Sequence, residues 1–302
     1  MNIVVTGSLG YVSQPLTEKL LQKGHSVTVI SSNPDKQKKI EALGARAAIG
    51  IIDDVDFIIN TFTGADAVYC MLAPYGNLAD PTNTADEVIK RAETFVTNYK
   101  QAIEKSGVKR IVYLSSIGAD KATGSGLISV HYHAENTLRA LPSDVNVSFI
   151  RAAGFYKNML GYIHTLKHHN SIAASYGGDD RVVWVSNLDI ADAVVNELES
   201  QETDRKVSYV ASEELSCTEA AAILGTAIGK PDLTWQILTD QQQLMALKAH
   251  GMNDSIAHNF VEMNASIHNG TFYEDYDRHK LALGKVKLKD FAREFAVIYQ
   301  QQ

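Results

Sequence analysis

The sequence predicts an α/β chain: a doubly wound parallel sheet followed by a smaller helix-rich C-terminal substrate region. Three observations carry that expectation. The chain opens on Met1-Asn2-Ile3-Val4-Val5-Thr6-Gly7-Ser8-Leu9-Gly10-Tyr11-Val12-Ser13, a β-branched run leading straight into Gly-x-x-Gly and an amphipathic segment. Strand-like and helix-like segments then alternate to about residue 150. Beyond that point the rhythm turns mostly helical. Parallel strands joined by helical crossovers are the pattern of a Rossmann fold.

Each element follows from local pattern. Ile3, Val4 and Val5 mark a buried central strand over 2–6. Gly7 permits a tight turn, and Gly10 removes a side chain where a pyrophosphate must approach the backbone. The helix expected over 11–23, with Leu16, Leu20 and Leu21 on its apolar face, aims its unpaired N–H groups and positive dipole end at that anion. The pattern marks a dinucleotide site, with Thr6, Gly7, Ser8, Leu9, Gly10, Tyr11 and Val12 as candidate contacts. Ser13 stands where the usual third glycine would be, which predicts slightly looser packing of helix on strand. Further strands are expected at 26–30, 46–49, 66–72, 109–114 and 145–150, and further helices at 34–43, 84–106 and 127–140. The helix at 84–106 opens on the capping box Thr84-Ala85-Asp86-Glu87. It carries Val88, Ala92, Phe95, Tyr99 and Ala102 at helical spacing and stops at Gly107.

The second half reads as a helical stretch from Phe155 to His168, a strand at Arg181–Val185, a helix from Asp189 and a strand at Val207–Val210. Ser216-Cys217-Thr218-Glu219 is a second capping box and begins a helix ending at Gly229. Two more helices, about 238–249 and 254–268, stop at Gly251 and Gly270. This tail is expected to lie over the carboxyl ends of the strands. The division is 1–150 for the dinucleotide-binding unit and 151–302 for the C-terminal region, partly interleaved with the main sheet.

Composition narrows the classes of function. The chain has 302 residues, 45% of them hydrophobic, and a net charge of −7. No cluster of Lys and Arg stands out, which argues against nucleic acid as a partner. Two cysteines, Cys70 and Cys217, are too few for a disulfide framework or a metal cluster and suit a reducing compartment. The first strand begins at residue 2, leaving no room for a signal peptide, and no apolar run approaches the ~18 residues of a membrane span. A cytoplasmic protein is expected.

The end of the second strand sets cofactor choice. Sites that prefer NAD place Asp or Glu there to accept from the ribose 2′-hydroxyl. This chain has Ser31-Ser32-Asn33-Pro34, and its first carboxylate is Asp35. A 2′-phosphate meets no repulsion, and Ser31, Ser32 and Lys36 are its candidate donors; otherwise these are ordinary turn and cap residues. NADP(H) is therefore expected over NAD(H). The strand Arg110-Ile111-Val112-Tyr113-Leu114 ends in Ser115-Ser116, where short-chain dehydrogenases carry a Ser. In those enzymes a Tyr-x-x-x-Lys follows, the Lys lowering the Tyr pKa so that it acts as general acid. Here Tyr132 is followed four residues later by Asn136, which supplies no charge. The other candidate, Tyr276 with Lys280, lies far downstream and is discounted.

At this point a resemblance is specific. The chain resembles the NmrA-like family of atypical short-chain dehydrogenases/reductases, and within it the triphenylmethane reductases and NAD(P)H:quinone oxidoreductases of bacteria. The likeness rests on Val5-Thr6-Gly7-Ser8-Leu9-Gly10, on His131 with Glu135 and Leu138, and on Phe149-Ile150-Arg151-Ala152-Ala153-Gly154-Phe155-Tyr156-Lys157-Asn158. Asp189-Ile190-Ala191 and Gly229-Lys230 with the tail helices add to it. It implies an NADP(H)-binding fold without the usual Tyr/Lys acid, His131 and Glu135 standing in those two slots. Two departures stand out. An Arg commonly follows the second strand, where this chain has Ser32, which weakens the phosphate clamp. A Gly-Asp commonly follows the third, where this chain has Gly50-Ile51, which changes the adenine rim.

The candidate cofactor contacts are completed by Leu72, Ala73, Ser115, Ala153, Gly154 and Phe155. His131, Glu135 and Tyr132 are the candidate catalytic residues. His131 is either a structural hydrogen-bonder or a group beside the nicotinamide; Glu135, on the same helical face, either orients it or lies in solvent. Tyr75, Phe155 and Tyr156 either wall an apolar substrate pocket or pack in the core. His131-Tyr132-His133 is no metal site, because residues i and i+2 on a helix point apart. His168-His169 is expected at a solvated helix end. The resulting expectation is an NADPH-dependent reductase passing hydride to an apolar, electron-poor small molecule such as a quinone or conjugated dye. The alternative is a non-catalytic NADP(H) sensor that regulates a protein partner.

Overall fold

A computed structural model describes residues 1–72, 78 and 80–301. The first half alternates β1 (Asn2–Val5), α1 (Ser13–Gln22), β2 (Ser26–Ser31), α2 (Gln37–Ala42), β3 (Arg46–Ile49), α3 (Val55–Phe62), β4 (Ala67–Met71), α4 (Ala85–Ser106), β5 (Arg110–Ser116), α5 (Ser129–Arg139) and β6 (Asn146–Ala152). The second half follows with β7 (Gly154–Phe155), α6 (Ile163–His169), β8 (Ser171–Ala174), β9 (Arg181–Val185), α7 (Asn187–Glu199), β10 (Lys206–Val210), β11 (Glu213–Ser216) and α8 (Cys217–Ala227). It ends with β12 (Thr234–Ile237), α9 (Asp240–Ala249), α10 (Asp254–His268), α11 (Glu274–His279) and α12 (Leu288–Gln301).

Among the described residues, a seven-stranded sheet runs in the order β10-β6-β5-β4-β1-β2-β3, with every neighbouring pair parallel. Chain order reverses between β1 and β4. That switch point opens a crevice at the carboxyl ends of the strands, where doubly wound sheets take their ligands. The strands alternate the faces they bury. Ile3, Val5, Val27 and Val29 join the core shared with α1 and α7; Val4, Val68, Ile111 and Phe149 join the core shared with α3, α4 and α5. The second half also places β10 beside β6 and α7 against α1. A three-stranded sheet (β11-β9-β7) and the pair β12-β8 build a second layer over the strand ends.

Several expectations need correction. The stretch from Phe155 to His168 is not one helix: Phe155 is extended, residues 156–162 form 3₁₀ turns, and only Ile163–His169 is α-helical. The helix α3 was not anticipated. Asp54 caps it by accepting from the Phe57 N–H at 3.0 Å, and Ile58 and Phe62 fill the core. The short strands β8, β11 and β12 also went unread, as did α12, whose Leu288, Phe291, Ala292 and Phe295 recur at helical spacing. No helix among the described residues is long and apolar enough to cross a membrane.

Candidate active site and dinucleotide cleft

The loop after β1 lies at the switch point. Gly7 takes φ +88° and Ser8 +56°, so the chain turns sharply as it leaves the strand. An L side chain at Gly7 would be strained, and its Cβ would stand 2.5 Å from Met71 Sδ. The Gly10 N–H donates to Gly7 O at 3.1 Å, and a Cβ at Gly10 would crowd that same oxygen at 3.0 Å. Thr6 is buried and accepts from the Met71 N–H at 3.1 Å, locking β1 to β4. Ser13 corrects the expectation of loose packing: it is fully buried, and its hydroxyl donates to Thr6 O at 2.8 Å. Val12 is buried and Leu9 packs on the core, whereas Tyr11 is 59% exposed and its carbonyl accepts from Asn187 Nδ2 at 2.7 Å. Helix α1 starts without a side-chain cap and without an acidic residue in its first turn. No carboxylate therefore competes at the positive end of the helix dipole, an environment that fits a pyrophosphate.

At the ribose edge the residues divide. Ser31 is buried, accepts from Ser8 Oγ at 2.9 Å and from the Asn33 N–H at 3.2 Å, and so braces the loop instead of presenting its hydroxyl. Ser32 is exposed and Lys36 half-buried on the 3₁₀ turn Pro34–Lys36, which Asn33 caps. No carboxylate stands at the end of β2 itself. Leu72 is buried at the end of β4, while Ala73 and Tyr75 lie outside the described residues.

His131 and Glu135 stand one turn apart on α5 and do different things. Glu135 is 2% exposed, which rules out the solvent reading. Its carboxylate accepts from Ser115 Oγ at 2.7 Å and from both Nε and Nη2 of Arg151, at 2.9 and 2.8 Å, with Arg139 adding a contact at 3.1 Å. Such a fork-on-carboxylate pair is the geometry in which a buried charge is tolerated. Arg151 also reaches Tyr209 at 2.8 Å and Asp275 at 2.9 Å, so it ties β6 and α5 to α11. Glu135 thus does not hydrogen-bond the His131 ring. Instead His131 Nδ1 lies 3.2 Å from the hydroxyl of Tyr113, which is buried in β5. Burial lowers the His131 pKa to about 4, against the opposing pull of Glu135, so the imidazole is neutral at pH 7. Tyr132 borders a small polar recess with Asn136, Arg139 and Asp275 rather than the space beside His131. Tyr276 and Lys280 both bond Glu214 of β11, at 2.9 and 3.2 Å.

A cavity of about 380 Å³ opens at the ends of β4, β5 and β6. His131, Leu72, Ser115, Ala153, Gly154 and Phe155 all line it, which brings together predicted residues from four parts of the chain. The second half supplies its other walls: Trp184, Tyr162, Tyr176, Phe272 and, from α10, Met263 and Ile267. Tyr156 is not among them. It is buried against Phe291, with ring centroids 5.8 Å apart, and its hydroxyl donates to Glu213 at 3.3 Å. Tyr113, Arg151, Ser116 and the aromatic wall were missed as site residues. Arg151 alone had a clear signal, a charge in the middle of an otherwise apolar strand.

The model of a family described as NAD(P)H-binding matches residues 7–201, about two thirds of the chain. The chain belongs to the NAD(P)H-binding family. Across its length this family member is 23% identical over 276 residues to quinone oxidoreductase 2 of Escherichia coli (strain K12), spanning 90% of each chain. Its fold is shared with the crystal structure of the NADPH-dependent E. coli quinone oxidoreductase complexed with NADPH, at a TM-score of 0.80 and 20% identity over 97% of this chain and 99% of that one. The triphenylmethane reductase of Citrobacter sp. complexed with NADP(H) matches at a TM-score of 0.76 and 20% identity, over 97% and 99% of the two chains. These matches support the NmrA-like, atypical short-chain dehydrogenase pattern of the motifs.

Proposed function

We propose that this chain is an NADPH-dependent reductase that passes hydride to an apolar, electron-poor acceptor of the quinone or conjugated-dye class. The observation that carries the reading is the cavity: mostly apolar, roughly the size of a one- or two-ring aromatic ligand, and bordered by His131 at the strand ends next to the Gly7–Gly10 loop. That the E. coli and Citrobacter relatives are a quinone oxidoreductase and a dye reductase supports it. The Gly7–Gly10 loop and the start of α1 would hold the pyrophosphate, with Ser32 and Lys36 toward the 2′-phosphate. When bound, reduced nicotinamide supplies the hydride.

The chain's own contribution is positioning and exclusion of water. Such acceptors leave as anions or take a proton from water, so no strong protein acid is needed. Neutral His131, held by Tyr113, orients a bound group without carrying charge into the cavity. Glu135 and Arg151 fix the helix that carries it. A cytoplasmic location belongs to the same proposal, since Cys70 and Cys217 are both buried and unpaired.

The test is anaerobic mixing of the protein with NADPH and a panel of quinones and triphenylmethane cations, followed at the nicotinamide absorbance. Turnover is expected with apolar acceptors, and Tyr132→Phe should keep it within about tenfold, below the ~10²–10⁴ of a general acid. A thousandfold loss in a Tyr132→Phe protein with normal NADPH binding would overturn the acid-free scheme. Silence with every acceptor would overturn the reductase.

A further inference from the structure

Resting on that reading, the geometry points to a selector for acceptors that carry oxygen at two opposed positions, diones of the quinone class: the hydroxyl pair of Tyr162 and Tyr176 on the cavity wall built by the second half of the chain. The two oxygens lie 3.1 Å apart, and both residues line the cavity. Trp235 holds them. Its ring meets Tyr162 edge-on at 5.4 Å and lies 5.5 Å from Tyr176, while its Nε1 donates to the Tyr176 carbonyl at 2.9 Å. A hydroxyl has one hydrogen to give. Whichever tyrosine donates to the other, the acceptor's own hydrogen has no partner among the described residues. Burial raises the pKa of both phenols, so the pair stays protonated.

Both tyrosines line a cavity whose neighbouring walls are mostly apolar, Phe155, Val182, Trp184 and Phe272, with Asn158 the polar side chain on the same side. A buried donor without an acceptor is unfavourable, and a ligand oxygen relieves it. His131 and Ser116 stand on the wall contributed by the first half. An acceptor with oxygens on opposite edges meets polar groups from both halves at once, whereas a triarylmethane cation has no oxygen to offer the tyrosines. The chemistry balances as a two-electron step. The quinone gains a hydride from reduced nicotinamide, whose C4–H bond breaks. The products are oxidised nicotinamide and a hydroquinone monoanion, which takes its second proton from water. The tyrosine pair keeps its protons throughout and hydrogen-bonds the oxygen on which charge develops.

The test titrates wild type, Tyr162→Phe, Tyr176→Phe and the double variant with 1,4-naphthoquinone and with crystal violet, by calorimetry in the presence of NADP+. Each single variant keeps one hydroxyl, freed from its partner, and should lose less than threefold in quinone affinity. The double variant should lose about three- to tenfold for the quinone, the value of one hydrogen bond, and less than twofold for the cation. An unchanged quinone affinity in the double variant, or an equal loss for both ligands, overturns the inference. If melting curves reveal a misfolded double variant, the unaltered protein decides: 1,4-naphthoquinone should bind at least threefold tighter than α-tetralone, its one-carbonyl analogue, and equal affinities overturn the inference. The two readings fail separately. NADPH oxidation by both acceptor classes with no tyrosine dependence sinks the selector alone; tyrosine-dependent quinone binding without any NADPH oxidation sinks the reductase alone.

Discussion

Replacing Arg151 with Met breaks the buried charge pair that ties the site together, and with it the contacts to Tyr209 and Asp275. Arg151 makes two of the hydrogen bonds to Glu135, at 2.9 and 2.8 Å, and the carboxylate they hold is 2% exposed. Ser115 at 2.7 Å and the 40%-exposed Arg139 at 3.1 Å remain after the substitution. Removing one partner of a buried pair typically costs about 3–5 kcal/mol, because a charge is left without its counterpart. The surviving Ser115 and Arg139 contacts place the expected loss at the lower end, about 3 kcal/mol. At roughly 2–4 °C per kcal/mol for chains of a few hundred residues, that lowers Tm by about 6–12 °C. The assay is calorimetric or circular-dichroism melting of wild type, Arg151→Met, Glu135→Gln and the double variant. The double variant should recover part of the loss, since it no longer leaves the Glu135 carboxylate buried without its main counter-charge, although Asp275 still loses Arg151. An Arg151→Met protein within about 1 kcal/mol of wild type, or losses in the two single variants that simply add, would refute the reasoning.

Three further outcomes follow from the same geometry. Gly10→Val should weaken NADPH binding by at least ~1.4 kcal/mol, or tenfold, with the fold intact; titration calorimetry giving an unchanged Kd would contradict the assigned pyrophosphate contact. Wild type should bind NADPH at least as tightly as NADH, and Ser32→Asp should reverse the order by setting a carboxylate at the 2′ position; a wild type that prefers NADH tenfold or more would overturn the ribose assignment. His131 has its pKa depressed from 6.5 to about 4 by burial, so the stability it confers is present above pH 6.5 and is lost as pH falls toward 4. Equilibrium unfolding of His131→Gln should therefore depend less steeply on pH across that window, and identical slopes in the two proteins would count against a buried neutral imidazole.

The sheet was legible because its signals are local. Ile3–Val5, the Gly7–Gly10 spacing and the capping box at Thr84 each act within a few residues, and they appear as β1, its loop and α4. The strands that escaped are very short, whereas the missed helices α3 and α12 did carry apolar residues at helical spacing. In Val55–Phe62 the apolar residues Val55, Ile58, Ile59 and Phe62 recur at i, i+3, i+4 and i+7 behind the cap Asp54, so α3 carried a helical signal and its shortness, eight residues, is what hid it. Strands β8, β11 and β12 are four residues each and gain their pairing only from distant partners. The site divided in the same way. His131, Phe155 and the glycine loop were readable from motif and position. That Glu135 faces Arg151 instead of His131, or that Ser31 turns inward to Ser8, depends on contacts between residues 16 and 23 positions apart in the chain. The tyrosine pair and Trp235 were invisible for the same reason: the wall exists only once β12 pairs with β8.

Direct hydride transfer within the cavity is the central claim, and a label tests it most closely. The protein is mixed anaerobically with a triphenylmethane cation and NADPH deuterated at C4 on one face or the other, and the leuco product is examined by mass spectrometry. One of the two labels should appear in full on the central carbon, the other should leave none, and no deuterium should enter from heavy water. Label from both faces alike, or deuterium drawn from solvent, would contradict direct transfer.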